Sequence, residues 1–280
     1  MMIRSFSCLF ILLVAISGTV RADGKKLAKV PRVRVLLLGD STVIGSVCRD
    51  MHPKADHLED VVRKLLAADA DLPPVEVVNR GVNGDMIHLL LARRYEKDVA
   101  KQPPFDFIFL RYGLNDVRNL KEFKTEFPAN YKTLIARLRT DHPKAEIVLE
   151  TVIPYLGAEM DKAINDLVRA VGAAEKLPLL DQHAPYAAQL MNGPNMLSYR
   201  RLPLAALPKK YHALIPPEAI KGEVVYVMDN VLDVHLAKVP DWFKDRHPNL
   251  AGYHVIGTQL ADYLVSRLRE KVKATRSVSP

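Results

Sequence analysis

Val33-Arg34-Val35-Leu36-Leu37-Leu38-Gly39-Asp40-Ser41-Thr42 is the stretch whose reading decides the fold. Five of its first six residues are apolar, the run is short, and Gly-Asp-Ser comes at once after it. That pattern reads as a buried parallel strand closing in a tight turn. Ligands of open α/β sheets bind beyond the carboxyl ends of the strands, so Ser41 stands where a substrate would arrive. The plainer reading is that Asp40 and Ser41 only hydrogen-bond the turn and cap the next stretch of chain. The motifs that recur downstream decide between the two.

After this strand, short apolar runs alternate with longer helical spacings, the signature of a parallel sheet covered by helices on both faces. Leu58, Val61, Val62, Leu65 and Leu66 share one face of a helix that ends before Pro73-Pro74, and Val75 to Val78 is the second strand. Met86 to Tyr95 is apolar at helical spacing, and Phe105 to Leu110 is the third strand. Tyr131, Leu134, Ile135 and Leu138 mark a helix, Ile147 to Ile153 a fourth strand, residues 160–176 a helix, and Leu179-Leu180 a short fifth strand. Val255, Ile256, Leu260, Leu264 and Leu268 make a closing amphipathic helix from Leu250 to about Val272. The segment 192–240 breaks the rhythm with Pro194, Pro203, Pro208, Pro216 and Pro217 and one strand-like run at Val224 to Met228. It is expected to be an elaboration of the domain without a core of its own, either shaping a cleft or simply packing on the surface.

Three further stretches come after predicted strands or precede the last helix. Asn79-Arg80-Gly81-Val82-Asn83-Gly84-Asp85 holds Gly84, whose backbone N–H can approach a ligand without a side chain in the way. Arg111-Tyr112-Gly113-Leu114-Asn115-Asp116 offers the Asn115 amide to a developing oxyanion and Asp116 as a loop tie. Each has a plainer reading as a turn or a helix cap. In Asp245-Arg246-His247-Pro248-Asn249, His247 is the candidate general base and Asp245 the group that orients its ring. Pro248-Asn249 is a helix-start pattern that would hold that histidine at a loop mouth.

In order and placement, Gly39-Asp40-Ser41, Gly84, Gly113-Leu114-Asn115-Asp116 and Asp245-Arg246-His247 resemble the four signature blocks of the GDSL-type SGNH hydrolases. The resemblance runs from about Val33 to Leu264. It implies an α/β fold, a three-layer α/β/α sandwich on a central, mostly parallel sheet of about five strands, and esterase or acyl-hydrolase activity without a metal or other cofactor. By the match, Ser41 is the expected nucleophile, with His247 and Asp245 completing the triad. The backbone N–H groups of Ser41 and Gly84, with the Asn115 amide, are the expected oxyanion hole. The family usually places its acid three residues before the histidine, a position held here by Lys244, so Asp241 stands beside Asp245 as the other candidate acid.

The first residues carry an address. Arg4 precedes an apolar run from Phe6 to Ile16, about half the ~20 residues a membrane-spanning helix needs, and Val20-Arg21-Ala22 suits a signal peptidase. The expectation is a signal peptide at 1–22 cleaved near Ala22, a flexible lead at 23–32, one domain at 33–273 elaborated at 192–240, and a disordered tail at 274–280. The product would be secreted or periplasmic, without stable membrane insertion. Removing the leader takes two arginines and no acid, lowering the formal charge of +8 to +6. The remaining basic residues are scattered among acidic ones, unlike the basic stripe with stacking aromatics that nucleic acid requires. Cys48 alone then remains, so no internal disulfide can hold the domain, and a thiol with no base beside it reads as a small buried apolar group.

The function expected from these residues is hydrolysis of a small acyl ester, acetyl above all, on a carbohydrate, through an acyl-enzyme. Two alternatives stay open: a lysophospholipase or thioesterase, and a non-catalytic secreted carbohydrate-binding protein on the same fold. A metal hydrolase built on His52, Asp56 and His57 lacks a clear third ligand.

Overall fold

A computed structural model describes residues 32–191 and 196–278 of the chain. The expected leader, the lead except for Arg32, and residues 192–195 and 279–280 lie outside the described residues. From the opening strand β1 (Val33–Gly39) the chain turns through two short helices, α1 (Ser41–Ile44) and α2 (Ser46–Met51), into α3 (Leu58–Ala67) and then β2 (Val75–Asn79). Next come α4 (Ile87–Leu89), continued by wide π turns over Leu90–Arg94 and Glu96–Ala100, and β3 (Phe107–Arg111). α5 (Asp116–Asn119) and α6 (Phe123–Asp141) lead to β4 (Glu146–Glu150), and α7 (Ala158–Glu175) leads to β5 (Leu179–Leu180) and α8 (His183–Leu190).

All pairings in the main sheet are parallel, in the order β2-β1-β3-β4-β5. Because side chains alternate along a strand, Leu36 and Leu38 of β1 enter one core while Val35 and Leu37 enter the other. The first core also takes Ile87, Tyr131, Leu134 and Val168 from the helices on its face; the second takes Leu58, Val62, Ile256 and Leu264. Apolar on both faces, the strands read as near-continuous hydrophobic runs, as buried parallel strands do. The result is a three-layer α/β/α sandwich. After β1 the chain goes to the face of α3, and after β3 to the face of α6. Between those diverging exits lies the crevice where such sheets bind ligands.

The segment 192–240 is expected from sequence to lack a core, and here the structure corrects the reading. β6 (Arg200–Pro203), β7 (Ile220–Lys221) and β8 (Val224–Val227) form a separate antiparallel sheet in the order β6-β8-β7. With α9 (Asp233–Leu236) they enclose Leu202, Leu207, Ile215, Val225, Val227, Leu236 and a Trp242 that is 1% exposed. Pro203, Pro208, Pro216 and Pro217 punctuate 3₁₀ turns at Leu204–Ala206, Lys209–Leu214 and Pro217–Ala219. One helix outruns its expected limit and another carries a proline. α6 starts at Phe123 and carries Pro128 inside its second turn. The final helix, α10 (Leu250–Val278), takes in residues 274–278 that were expected in a disordered tail; no glycine or proline comes after Gly257 until Pro280 to stop it. Among the described residues no helix is long and apolar enough to cross a membrane.

Gly39 ends β1 opposite Arg111 of β3. A Cβ there would lie 2.4 Å from Val43 Cγ2 and 2.6 Å from the Arg111 carbonyl oxygen, so glycine is what lets α1 fold back over the strand end. Gly39→Ala is expected to lower unfolding stability by about 1–3 kcal/mol, as overpacking does, read as a lower midpoint in urea with an unchanged slope.

Candidate active site

Three chain turns at the carboxyl end of the sheet, and the loop before α10, meet in a cleft of about 340 Å³. The turn after β1 is held from below. Asp40 caps α1, its Oδ1 accepting 2.8 Å hydrogen bonds from both the Thr42 N–H and the Thr42 hydroxyl. Burial pushes its carboxyl up, against the pull of Thr42, Arg111 and His247. Arg111, 1% exposed, donates from Nη2 to the Thr42 carbonyl at 2.8 Å and faces the buried Glu150, whose Oε1 also accepts from Gln182 at 2.9 Å. Asn79, at the end of β2, donates to the Val43 carbonyl at 2.9 Å. Thus strands β2, β3 and β4 all fix the short helix that begins with Ser41.

His247 reaches the same place from the far end of the chain. Asn249 starts α10 as its sequence suggests: its Oδ1 accepts from the Gly252 N–H at 3.0 Å, and its Nδ2 donates to the Met196 carbonyl at 2.8 Å. An isolated antiparallel bridge joins Ser198 to Pro248, and the Tyr199 N–H donates to the His247 carbonyl. So placed, His247 Nε2 lies 2.9 Å from Ser41 Oγ, and Nδ1 lies 2.6 Å from Asp245 Oδ1, which also accepts the His247 backbone N–H at 3.0 Å. Although burial opposes it, the His247 ring and backbone bonds and the nearby Arg201 hold the Asp245 carboxyl below its usual range. An ionised Asp245 puts the ring proton on Nδ1 and leaves the Nε2 lone pair for the Ser41 hydroxyl.

The two glycine and asparagine turns close the other wall. Gly84 adopts φ +70°, with nothing within 4 Å of where a Cβ would stand. Its backbone conformation, not crowding, is what asks for glycine. Neither the Ser41 nor the Gly84 N–H has an acceptor among the described residues. Asn115 Nδ2 donates to the Asp85 carbonyl at 3.1 Å, which fixes the amide plane and leaves its second N–H to the cleft it lines. Asp116 ties the loops, accepting from the Ile87 and Gly113 N–H groups at 3.3 and 3.1 Å, and its burial pushes it up to about 7.

Of the residues singled out from sequence, Ser41, Gly84, Asn115 and His247 line one cleft, with Asp245 directly behind the histidine. Asp241 is not there: it pairs with Lys244 at 3.3 Å on the surface and sits at φ +64°. Cys48 is buried, donates to the Pro248 carbonyl at 3.4 Å, and burial pushes its thiol up to about 12, which removes the thiolate at neutral pH. His57 caps α3 and Asp56 pairs with Lys64; among the described residues no group of three metal-ligating side chains forms.

Three neighbours escaped the sequence reading. The Tyr155 hydroxyl lies 2.9 Å from His247 Nδ1 and 3.1 Å from Nε2, its ring nearly perpendicular to the imidazole. Tyr199 stacks on the same imidazole, 8° from parallel at 5.7 Å. Arg201 Nε is 2.8 Å from the outer oxygen, Oδ2, of Asp245. Burial pushes both tyrosines well up, so they remain neutral phenols. Tyr155 comes soon after β4, and the rule that marked Ser41 and Asn115 would have reached it. Tyr199 and Arg201 carry no local signal. Together the groups put the Ser41 hydroxyl within hydrogen-bond reach of an imidazole, in a cleft that Gly84 and Asn115 also line, an arrangement that can serve attack on a carbonyl.

The model of the GDSL-like Lipase/Acylhydrolase family matches residues 37–255. Among solved structures, the acetylxylan esterase Axe2 from Geobacillus stearothermophilus is 20% identical, with TM-score 0.52 over 83% of this chain and 94% of its own. A lipase/acylhydrolase from Enterococcus faecalis is also 20% identical, with TM-score 0.52 over 84% and 97%. LAE5, an alpha/beta hydrolase enzyme from the metagenome of Lake Arreo, Spain, is 19% identical, with TM-score 0.53 over 81% and 93%. At these identities the structures speak for the fold. No curated protein matches the chain.

The two candidate acids separate by substitution. Asp245→Asn is expected to lower kcat on 4-nitrophenyl acetate by on the order of 10⁴-fold, because the amide favours the wrong imidazole tautomer. Asp241→Asn, which tolerates a positive φ, is expected to leave it within about twofold.

Proposed function

The chain belongs to the GDSL-like lipase/acylhydrolase family and is a carboxylic ester hydrolase; from that premise we propose that it is an exported serine esterase that removes small acyl groups, acetyl above all, from a carbohydrate. The observation that carries the reading is the unbroken hydrogen-bond line from Ser41 Oγ to His247 Nε2 and from His247 Nδ1 to Asp245. His247 takes the Ser41 proton as Oγ attacks the ester carbonyl, and the oxyanion is received by the Ser41 and Gly84 N–H groups and the Asn115 amide. As the intermediate collapses, the ester C–O bond breaks and His247 returns the proton to the leaving alcohol. Water then repeats the attack on the acyl-serine and releases the carboxylic acid.

A small acyl group on a sugar fits the lining. Ser46, Asn83, Asn115, Arg118, Arg201 and the two tyrosines surround Ser41 with hydrogen-bonding groups, and Val47 and Leu114 supply a short apolar patch. A more apolar groove of about 240 Å³ near Met51, Leu214 and Val231 shares no lining residue with the cleft. The acetylxylan esterase among the structural neighbours agrees with this choice of substrate. Export is supported by the apolar run from Phe6 to Ile16 and by Val20-Arg21-Ala22.

The test is turnover of 4-nitrophenyl esters of increasing chain length and of acetylated xylo-oligosaccharide. Acetate release from the sugar, rates falling beyond butyrate, and an acetylated Ser41 peptide in quenched mass spectra are expected. Rates that climb with chain length would replace the substrate assignment with a lipid-type acyl hydrolase. No hydrolysis, with retention on a polysaccharide column, would make the protein a binding module. Asn115→Ala should lower kcat about 10²–10³-fold, the usual cost of one oxyanion donor.

A further inference from the structure

The reacting cleft carries fixed charge of one sign. Arg118 and Arg201 line it, and no aspartate or glutamate does. Asp245, its side chain 5% exposed, stands behind His247 and faces Arg201. The Arg118 guanidinium, exposed on α5 three residues past Asn115, makes no hydrogen bond or ion pair with any described residue. Arg201 is ion-paired with Asp245, Nε to Oδ2 at 2.8 Å, and its two Nη groups make no hydrogen bond with any described residue. Both guanidiniums act electrostatically on the Tyr155 phenol, which touches the imidazole, so two separate elements bring positive charge to the same rim of the site.

An exposed arginine on a convex surface is solvated and needs no explanation. These two stand in a concave site, beside the reacting serine, where low-dielectric walls focus their field. Their planar forks match an oxyanion of carboxylate or sulfate type, and the Asp245 contact pre-orients one of them. Resting on the esterase reading above, we propose that the alcohol side of the substrate bears an oxyanion, as in an acylated saccharide carrying uronate or sulfate groups. Arg118 and the outer edge of Arg201 receive that group while Ser41 attacks the neighbouring ester. Arg201 also holds the acid, so Arg118 is the residue on which substrate choice is read.

The experiment compares kcat/KM of the purified protein on an acetylated uronide, its neutral methyl ester, an acetylated sulfated sugar and 4-nitrophenyl acetate. The expected result is a preference of about tenfold or more for an anionic sugar over the neutral one at low salt, shrinking as salt is added. In Arg118→Gln the ratio of kcat/KM on the anionic sugar to kcat/KM on the neutral one is expected to fall at least several-fold. A preference for the uronide alone or the sulfated sugar alone upholds the proposal and names the oxyanion. Equal kcat/KM on acid and methyl ester, with no gain on the sulfated sugar, would overturn it while leaving the esterase intact. An unchanged preference in Arg118→Gln would overturn the role of Arg118. Failure on every ester, 4-nitrophenyl acetate included, would instead sink the esterase reading on which this one rests.

Discussion

Ser41 and His247 are 206 positions apart in the chain, and their side chains meet at 2.9 Å. No local preference can hold such a contact; it survives only if both ends are fixed independently to the same rigid body. The serine end is fixed by the parallel sheet. Gly39 pairs with Arg111, Arg111 reaches the Thr42 carbonyl, and Asn79 reaches the Val43 carbonyl. The histidine end is fixed by the start of α10, where Asn249 is bonded to Met196 and Cys48 to the Pro248 carbonyl. A misplacement of about 1 Å at either end would break that hydrogen bond, and buried polar structure holds both ends against it.

That surrounding structure carries a cost. Arg111, Glu150, Asp40 and Asp116 are nearly excluded from solvent, and buried charges destabilise unless they are paired and hydrogen-bonded. Each has found partners at strand ends: Thr42 and Gln182, or the Ile87 and Gly113 N–H groups. The sheet supplies register and the buried polar groups convert register into a fixed turn. Its two apolar faces are what make the sheet rigid enough for this.

The small antiparallel sheet changes what the segment 192–240 means for the site. Through Ser198, Tyr199 and Arg201 it reaches the His247 loop by a backbone bridge, a stacked ring and an ion pair with Asp245. Asp245 stands two residues before the histidine instead of three, and its outer oxygen faces an arginine from this added sheet. An elaboration with its own packed cluster around Trp242 can hold those side chains steadily in a way an uncored loop could not.

The five strands of the main sheet, its mostly parallel character, the longer helices that cover it, and the turns bearing Ser41, Gly84, Asn115 and His247 were legible in the amino-acid sequence; the short helices α1, α2, α5, α8 and α9 were not. They rest on periodicity and on short motifs, in which the informative residues lie within a few positions of one another. Only the tertiary structure decided that Asp245 and not Asp241 lies against the imidazole, that Tyr155, Tyr199 and Arg201 surround it, and that the proline-rich segment encloses a core. The physical reason is distance along the chain. A side chain's partner across a cleft leaves no local pattern, because it is chosen by where whole elements pack, and that is set by the burial of all their apolar faces at once.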